Sequence, residues 1–140
     1  MKYALDTSVL VRILVNRPQP LASDVIAEVS RRIADGATMV ISNLVLSEAY
    51  YAVQHHYGVD KQTALRAFRI LSFNDGFEFS EEAKVILAME GLDHAKPGFV
   101  DRLICAEQQR VGVSVLSCEK GFRRMPNAEV IPSQTPVNPV

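Results

Sequence analysis

The sequence predicts an α/β protein, with a central parallel sheet of about four or five strands flanked by helices. Three observations lead there. Short runs of strand-type residues alternate with longer amphipathic stretches along the whole chain. Cap and turn residues stand at nearly every junction between them. Strands separated by helices, rather than by tight hairpins, imply parallel pairing with helical crossovers.

The elements follow in order. Tyr3-Ala4-Leu5 reads as a strand, and Thr7 or Ser8 is placed to cap a helix through Leu14. Pro18 and Pro20 interrupt the chain before an amphipathic helix from Leu21 to Ile33, closed by Asp35-Gly36. Thr38 to Ile41 is a buried-type strand. Ser42 or Asn43 caps a helix through His56, and Gly58 ends it. Asp60 caps the next, Lys61 to Leu71. Asn74-Asp75-Gly76 is a turn before a short strand, Phe77 to Phe79. Ser80 opens a helix to Glu90, with Glu81 and Glu82 favoured in its first turn. Pro97-Gly98 starts a helix from Phe99 to Arg110, ended by Gly112. Val113 to Leu116 is a strand, and Val130-Ile131 a last one.

A chain of 140 residues fits one domain. Residues 1–131 are read as that domain and 132–140 as a loose tail with three prolines and little to pack. The chain shows no internal repeat. No run approaches the ~18 apolar residues of a membrane span, and Met1-Lys2-Tyr3-Ala4-Leu5-Asp6 is no secretory signal. A cytoplasmic protein without a membrane partner is expected. Cys105 and Cys118 are too few and too far apart for a zinc ribbon or a redox pair. The net charge of −1 argues against a protein that coats nucleic acid by bulk positive charge. It leaves room for an acidic centre with a basic rim.

Four carboxylates carry the chemistry. Asp6 follows a strand directly, at the carboxyl end where open α/β sheets bind ligands. Glu48 has apolar neighbours at helical spacing, Leu44, Val45, Tyr51 and Ala52, which puts it on the stripe expected to face the core. Asp101 lies at the edge of the apolar face of its helix. Glu119 follows the strand ending at Leu116. Each alone also reads as a cap, a paired acid or a solvated side chain. Gathered in one crevice they would repel, at about 3 kcal/mol for a pair about 5 Å apart at an effective dielectric of about 20. A hard divalent cation removes that cost. Metal and acids together suit phosphodiester hydrolysis. On this reading Asp6→Asn relieves repulsion and leaves the fold as stable or slightly more so.

These residues resemble a known family. Leu5-Asp6-Thr7-Ser8-Val9-Leu10, Ser42-Asn43-Leu44-Val45-Leu46-Ser47-Glu48, Phe99-Val100-Asp101-Arg102-Leu103-Ile104 and Leu116-Ser117-Cys118-Glu119-Lys120-Gly121-Phe122 resemble the four acid-bearing blocks of PIN domains. The likeness is nearest to the VapC-like toxins of bacterial toxin–antitoxin pairs. Each block is short, but four in order, with spacings of 42, 53 and 18 residues between the acids, make a specific combination. The resemblance implies a three-layer PIN-like fold, RNA cleavage dependent on Mg²⁺ or Mn²⁺, a homodimer and a cognate antitoxin. It implies that Asp6, Glu48 and Asp101 bind metal and catalyse, with Glu119 as a further catalytic and metal-binding candidate. Thr7, Ser8 and Ser117 would support the site. The family usually carries aspartate where this chain has Glu119, which bears on a second metal more than on the first.

Arg102, Lys120, Arg123 and Arg124 cluster near the last two acid blocks, as do Lys96 and Arg110. The first four are candidates for RNA phosphate contact. Two other functions stay open. One is a catalytically silent PIN-like module that binds protein or RNA. The other is a phosphatase of small phosphoesters, which would want Asp-x-Asp where the chain has Asp6-Thr7-Ser8.

Overall fold

A computed structural model describes residues 1–132. The expected tail therefore lies outside the described residues from position 133 on. The chain forms two compact units, Met1–Asp93 and a second beginning at His94. It is a mixed α/β protein; the described residues form six α-helices, and every strand pairing among them is parallel.

The first unit starts with β1 (Lys2–Ala4), α1 (Thr7–Val15), α2 (Leu21–Ala34) and β2 (Thr38–Val40). It continues with α3 (Asn43–Tyr57), α4 (Lys61–Ser72), β3 (Phe77–Glu78) and α5 (Glu81–Leu87). Its strands form one parallel sheet in the order β1-β2-β3, with Tyr3 opposite Met39 and Met39 opposite Phe77. Helical crossovers leave the carboxyl ends of all three strands on one edge. Caps fix where the helices begin. Ser42 accepts from the Val45 N–H at 3.1 Å, Asp60 from Thr63 at 2.7 Å and Ser80 from Ala83 at 3.1 Å. Left-handed Asn16 and Gly58 end α1 and α3. Leu10, Met39, Ile41, Leu46, Ala49, Val53 and Phe68 are almost fully buried and make up the core.

The second unit holds α6 (Phe99–Arg110), β4 (Val115–Ser117) and β5 (Ala128–Val130), the two strands forming their own parallel pair. Phe99, Leu103, Cys105 and Phe122 are its buried residues from the helix and the 3₁₀ turn Lys120–Arg124. The Asn127 amide donates to the Cys105 carbonyl at 2.8 Å and the Val113 carbonyl at 3.2 Å, joining α6 to the segment that enters β4.

Several expectations need correction. The helix opened by Ser80 ends at Leu87 rather than Glu90, and a short 3₁₀ turn, Leu92–His94, follows. Asp6, not Thr7 or Ser8, occupies the N-cap of α1, so both hydroxyl residues lie inside the helix. Glu48 does not face the core. It is exposed, as are Leu44 at 70% and Tyr51 at 49%, because α3 buries Leu46, Ala49, Tyr50 and Val53 instead.

Candidate active site

Asp6 sits where β1 becomes α1, with extended backbone at φ −80° and ψ 159°. Its backbone carbonyl accepts from the Val9 and Leu10 amides, while its carboxylate takes the Ser8 hydroxyl at 2.9 Å. That hydroxyl, then the Thr7 amide, holds the Asp6 carboxyl below the usual aspartate range. The charged form is therefore favoured by the fold. Asn in its place would keep an acceptor for the Ser8 hydroxyl but not the charge that these donors favour. Ser8 is itself fixed: its carbonyl accepts from the Arg12 guanidinium at 2.9 Å.

Glu48 projects from the exposed side of α3, the helix that packs on α1. Tyr51 and His55 follow it at helical spacing, their rings nearly parallel with centroids 6.2 Å apart. The start of α3 is tied to the start of α5. Asn43 accepts from the Ser80 hydroxyl at 2.8 Å and donates to the Glu82 carboxylate at 3.2 Å. The adjacent pair Ser42-Asn43 hinted at this tie: only one residue can cap, so the other is free to reach elsewhere. Asn127, equally structural, carried no sequence signal.

In the second unit the charge of Glu119 acts on Asp101. Asp101 lies half-buried in the first turn of α6, and Glu119 is the exposed residue between β4 and the 3₁₀ turn. Burial, then the Glu119 charge, pushes the Asp101 carboxyl above the aspartate range. One turn further, burial and the Asp101 charge raise the Cys105 thiol. Glu119 is set by Ser117, whose hydroxyl accepts from the Glu119 amide at 3.0 Å. Thr7 is the first residue of α1 and half-buried.

The basic candidates differ in freedom. Arg102 is half-buried, with Nε donating to the Pro97 carbonyl at 2.7 Å. Arg124 donates to the Lys96 carbonyl at 3.2 Å. Lys120 and Arg123 are exposed on the same turn as Arg124, which the buried Phe122 ring anchors.

Among the described residues, neither unit by itself gathers three His, Cys, Asp or Glu side chains able to hold a metal. Mg²⁺ does not need such a cage, since it keeps several waters and is commonly held by one or two carboxylates and the substrate. Asp101 beside Glu119 offers hard oxygen donors whose mutual repulsion a divalent cation relieves. The donor chemistry fits Mg²⁺ or Mn²⁺. Cys105 and Cys118, one buried and one exposed, add no soft-metal pair.

The PIN domain family model matches residues 3–128, across both units. No curated protein matches the chain. Among solved structures, a chain of VapBC2 from Rickettsia felis, crystallised bound to a DNA fragment from their promoter, is 19% identical. That match covers 93% of this chain and 98% of the other, at a TM-score of 0.38.

Proposed function

The chain belongs to the PIN-domain family, and from that premise we propose that it is a Mg²⁺-dependent endoribonuclease, the toxin of a toxin–antitoxin pair. The observation that supports the metal-dependent hydrolysis is Asp101, half-buried in the first turn of α6 and near enough to Glu119 for the two charges to oppose each other. The toxin role rests on the four acid-bearing blocks, which resemble VapC-like chains. With it come a cognate antitoxin, a homodimer, a cytoplasmic setting and residues 1–131 as one nuclease domain. No helix among the described residues is long and apolar enough to cross a membrane.

The family resemblance assigns Mg²⁺, or Mn²⁺ in its place, to Asp6, Glu48 and Asp101, with Glu119 as a further candidate ligand. When bound, the cation supplies Lewis-acid activation of water and neutralises charge at the phosphate. The protein's own groups do the rest. Ser8 keeps Asp6 ionised and oriented. Ser117 fixes the backbone from which Glu119 projects, and Thr7 supports the first turn of α1. Glu48, exposed on α3, is free to orient or deprotonate water. Lys120, Arg123, Arg124 and Arg102 meet RNA phosphates and set the strand's position without reading its bases.

Metal binding tests this directly. Mg²⁺ or Mn²⁺ at ten times its dissociation constant stabilises the native state by about 1.4 kcal/mol. The melting temperature should therefore rise with metal in wild type and much less in Asp101→Asn. An equal rise in both would remove Asp101 from the metal site.

A further inference from the structure

The first unit carries a cavity that none of the four acids uses. It lies between α4 and the turn following α5, with a volume of about 250 Å³. Arg66 and Arg69, one helical turn apart on α4 and both exposed, form one wall. The other four arginines of the unit are engaged. Arg12 donates to Ser8, Arg17 to Tyr57, and Arg31 and Arg32 to Glu28. Among the described residues Arg66 and Arg69 make no ion pair and donate no side-chain hydrogen bond, although the Arg66 charge is felt at Asp60. Leu65, Leu87 and Leu92, all buried, floor the cavity. Glu90 and Asp93 also line it, and Asp93 is near enough to Tyr50 for its charge to act on that phenol.

Two guanidinium forks without carboxylate partners suit a phosphate, which they can grip with paired N–H donors. An apolar floor suits the flat face of a base. A carboxylate suits an exocyclic amino group such as cytosine N4. An acidic peptide would satisfy the arginines but meet like charge at Glu90 and Asp93. A nucleotide carries its anion at one end and its amino donors at the other, as this cavity requires. The volume falls just under the ~300 Å³ of the smallest drug-sized pockets, which suits one nucleotide better than several.

We propose that the α4 cavity binds one nucleotide, with its phosphate on Arg66 and Arg69 and its base on the leucine floor toward Glu90. The phosphoester comes either from one residue of an RNA strand or from a free nucleoside monophosphate. As a strand anchor the site rests on the ribonuclease reading, whereas as a mononucleotide site it stands alone.

The experiment uses the full chain in two arms. In the first, labelled single-stranded RNA is titrated onto Asp6→Asn protein, with and without Arg66→Gln and Arg69→Gln, at several salt concentrations. The double exchange should weaken binding about tenfold and flatten the salt slope by about 0.7, the share of one phosphate on a single strand. In the second arm, CMP is added to wild type and followed by amide chemical shifts. The shifts should fall on residues 65–69 and 87–93, and Glu90→Gln should weaken them. RNA binding unchanged with CMP still bound at those residues assigns the site to free nucleotides. No CMP shifts there and an unchanged salt slope overturn the proposal. Wild-type RNA cleavage alongside that result would leave the nuclease intact. CMP bound in the cavity of a protein that cuts no RNA would sink the nuclease and keep the site.

Discussion

Asn43 is the residue whose removal most cleanly tests how the sheet edge is held. Its amide oxygen accepts from Ser80 at 2.8 Å and its amide nitrogen donates to Glu82 at 3.2 Å. Ser80 is also the cap of α5, so one side chain links the first turns of two helices. A neutral hydrogen bond contributes about 1 kcal/mol net and one to a charged group about 1.5–3 kcal/mol. The Glu82 contact is long and the cluster only partly buried, so water recovers some of that. Asn43→Ala should therefore cost about 1.5–2.5 kcal/mol. For a chain of this size that corresponds to a drop in melting temperature of roughly 5–10 °C. Asn43→Asp separates the two bonds. It keeps an acceptor for Ser80 but sets a carboxylate against Glu82. Folded, that pair holds a proton more tightly than unfolded. The deficit is then fully present at neutral pH and shrinks as pH falls through the carboxylate range. Thermal melts of both variants at pH 7 and pH 4 read this out. Melting within 2 °C of wild type for Asn43→Ala, with no pH dependence for Asn43→Asp, would refute the tie.

Asp101→Asn should raise the melting temperature at neutral pH, since the folded state resists the Asp101 charge. A carboxyl raised in the fold costs stability above its unfolded pKa and costs nothing below it, so the gain should vanish as melts are taken toward pH 3. A lower melting point at pH 7 would contradict this. Glu28 has the opposite sign. Arg31 and Arg32 pull its carboxyl down to about 2, so its contribution is present above about pH 4.5 and lost as pH falls toward 2. Glu28→Gln should lower the melting point slightly at pH 7 and not at pH 2, and high salt should erase the difference. Phe99→Ala empties a fully buried site at the start of α6 and should cost about 3–5 kcal/mol in denaturant titration. A loss under 1 kcal/mol would mean that the second unit is not packed around that ring.

Much of the fold was legible in local signals. The bounds of α6, Phe99 to Arg110, follow from Pro97-Gly98 before it and Gly112 after it, and Asp60 marks the start of α4. These are short-range effects, decided by residues three or four apart. Glu48 was misplaced for a physical reason: α3 is apolar on more than one side. The stripe Leu44, Tyr51 and Ala52 competes with Leu46, Ala49, Tyr50 and Val53, and periodicity alone does not choose between them. Asp101 lies half-buried, as an edge position of its helix predicts, but its carboxyl is raised first by burial and then by Glu119, 18 positions away and beyond any local pattern. The Asn43 tie spans 37 positions and the arginines left unpaired on α4 are defined only by what the rest of the unit does not offer them.

The most direct test of the central claim is cleavage of a mixed pool of end-labelled cellular RNA by wild type and Asp6→Asn, with Mg²⁺, with Mn²⁺ and with EDTA. Discrete cuts by wild type with either metal, lost in EDTA and lost in a folded Asp6→Asn, are the predicted result. Well-folded, metal-binding wild type that cuts nothing would contradict it and favour a silent binding module, with Glu119→Asp as the exchange that restores the family's usual acid.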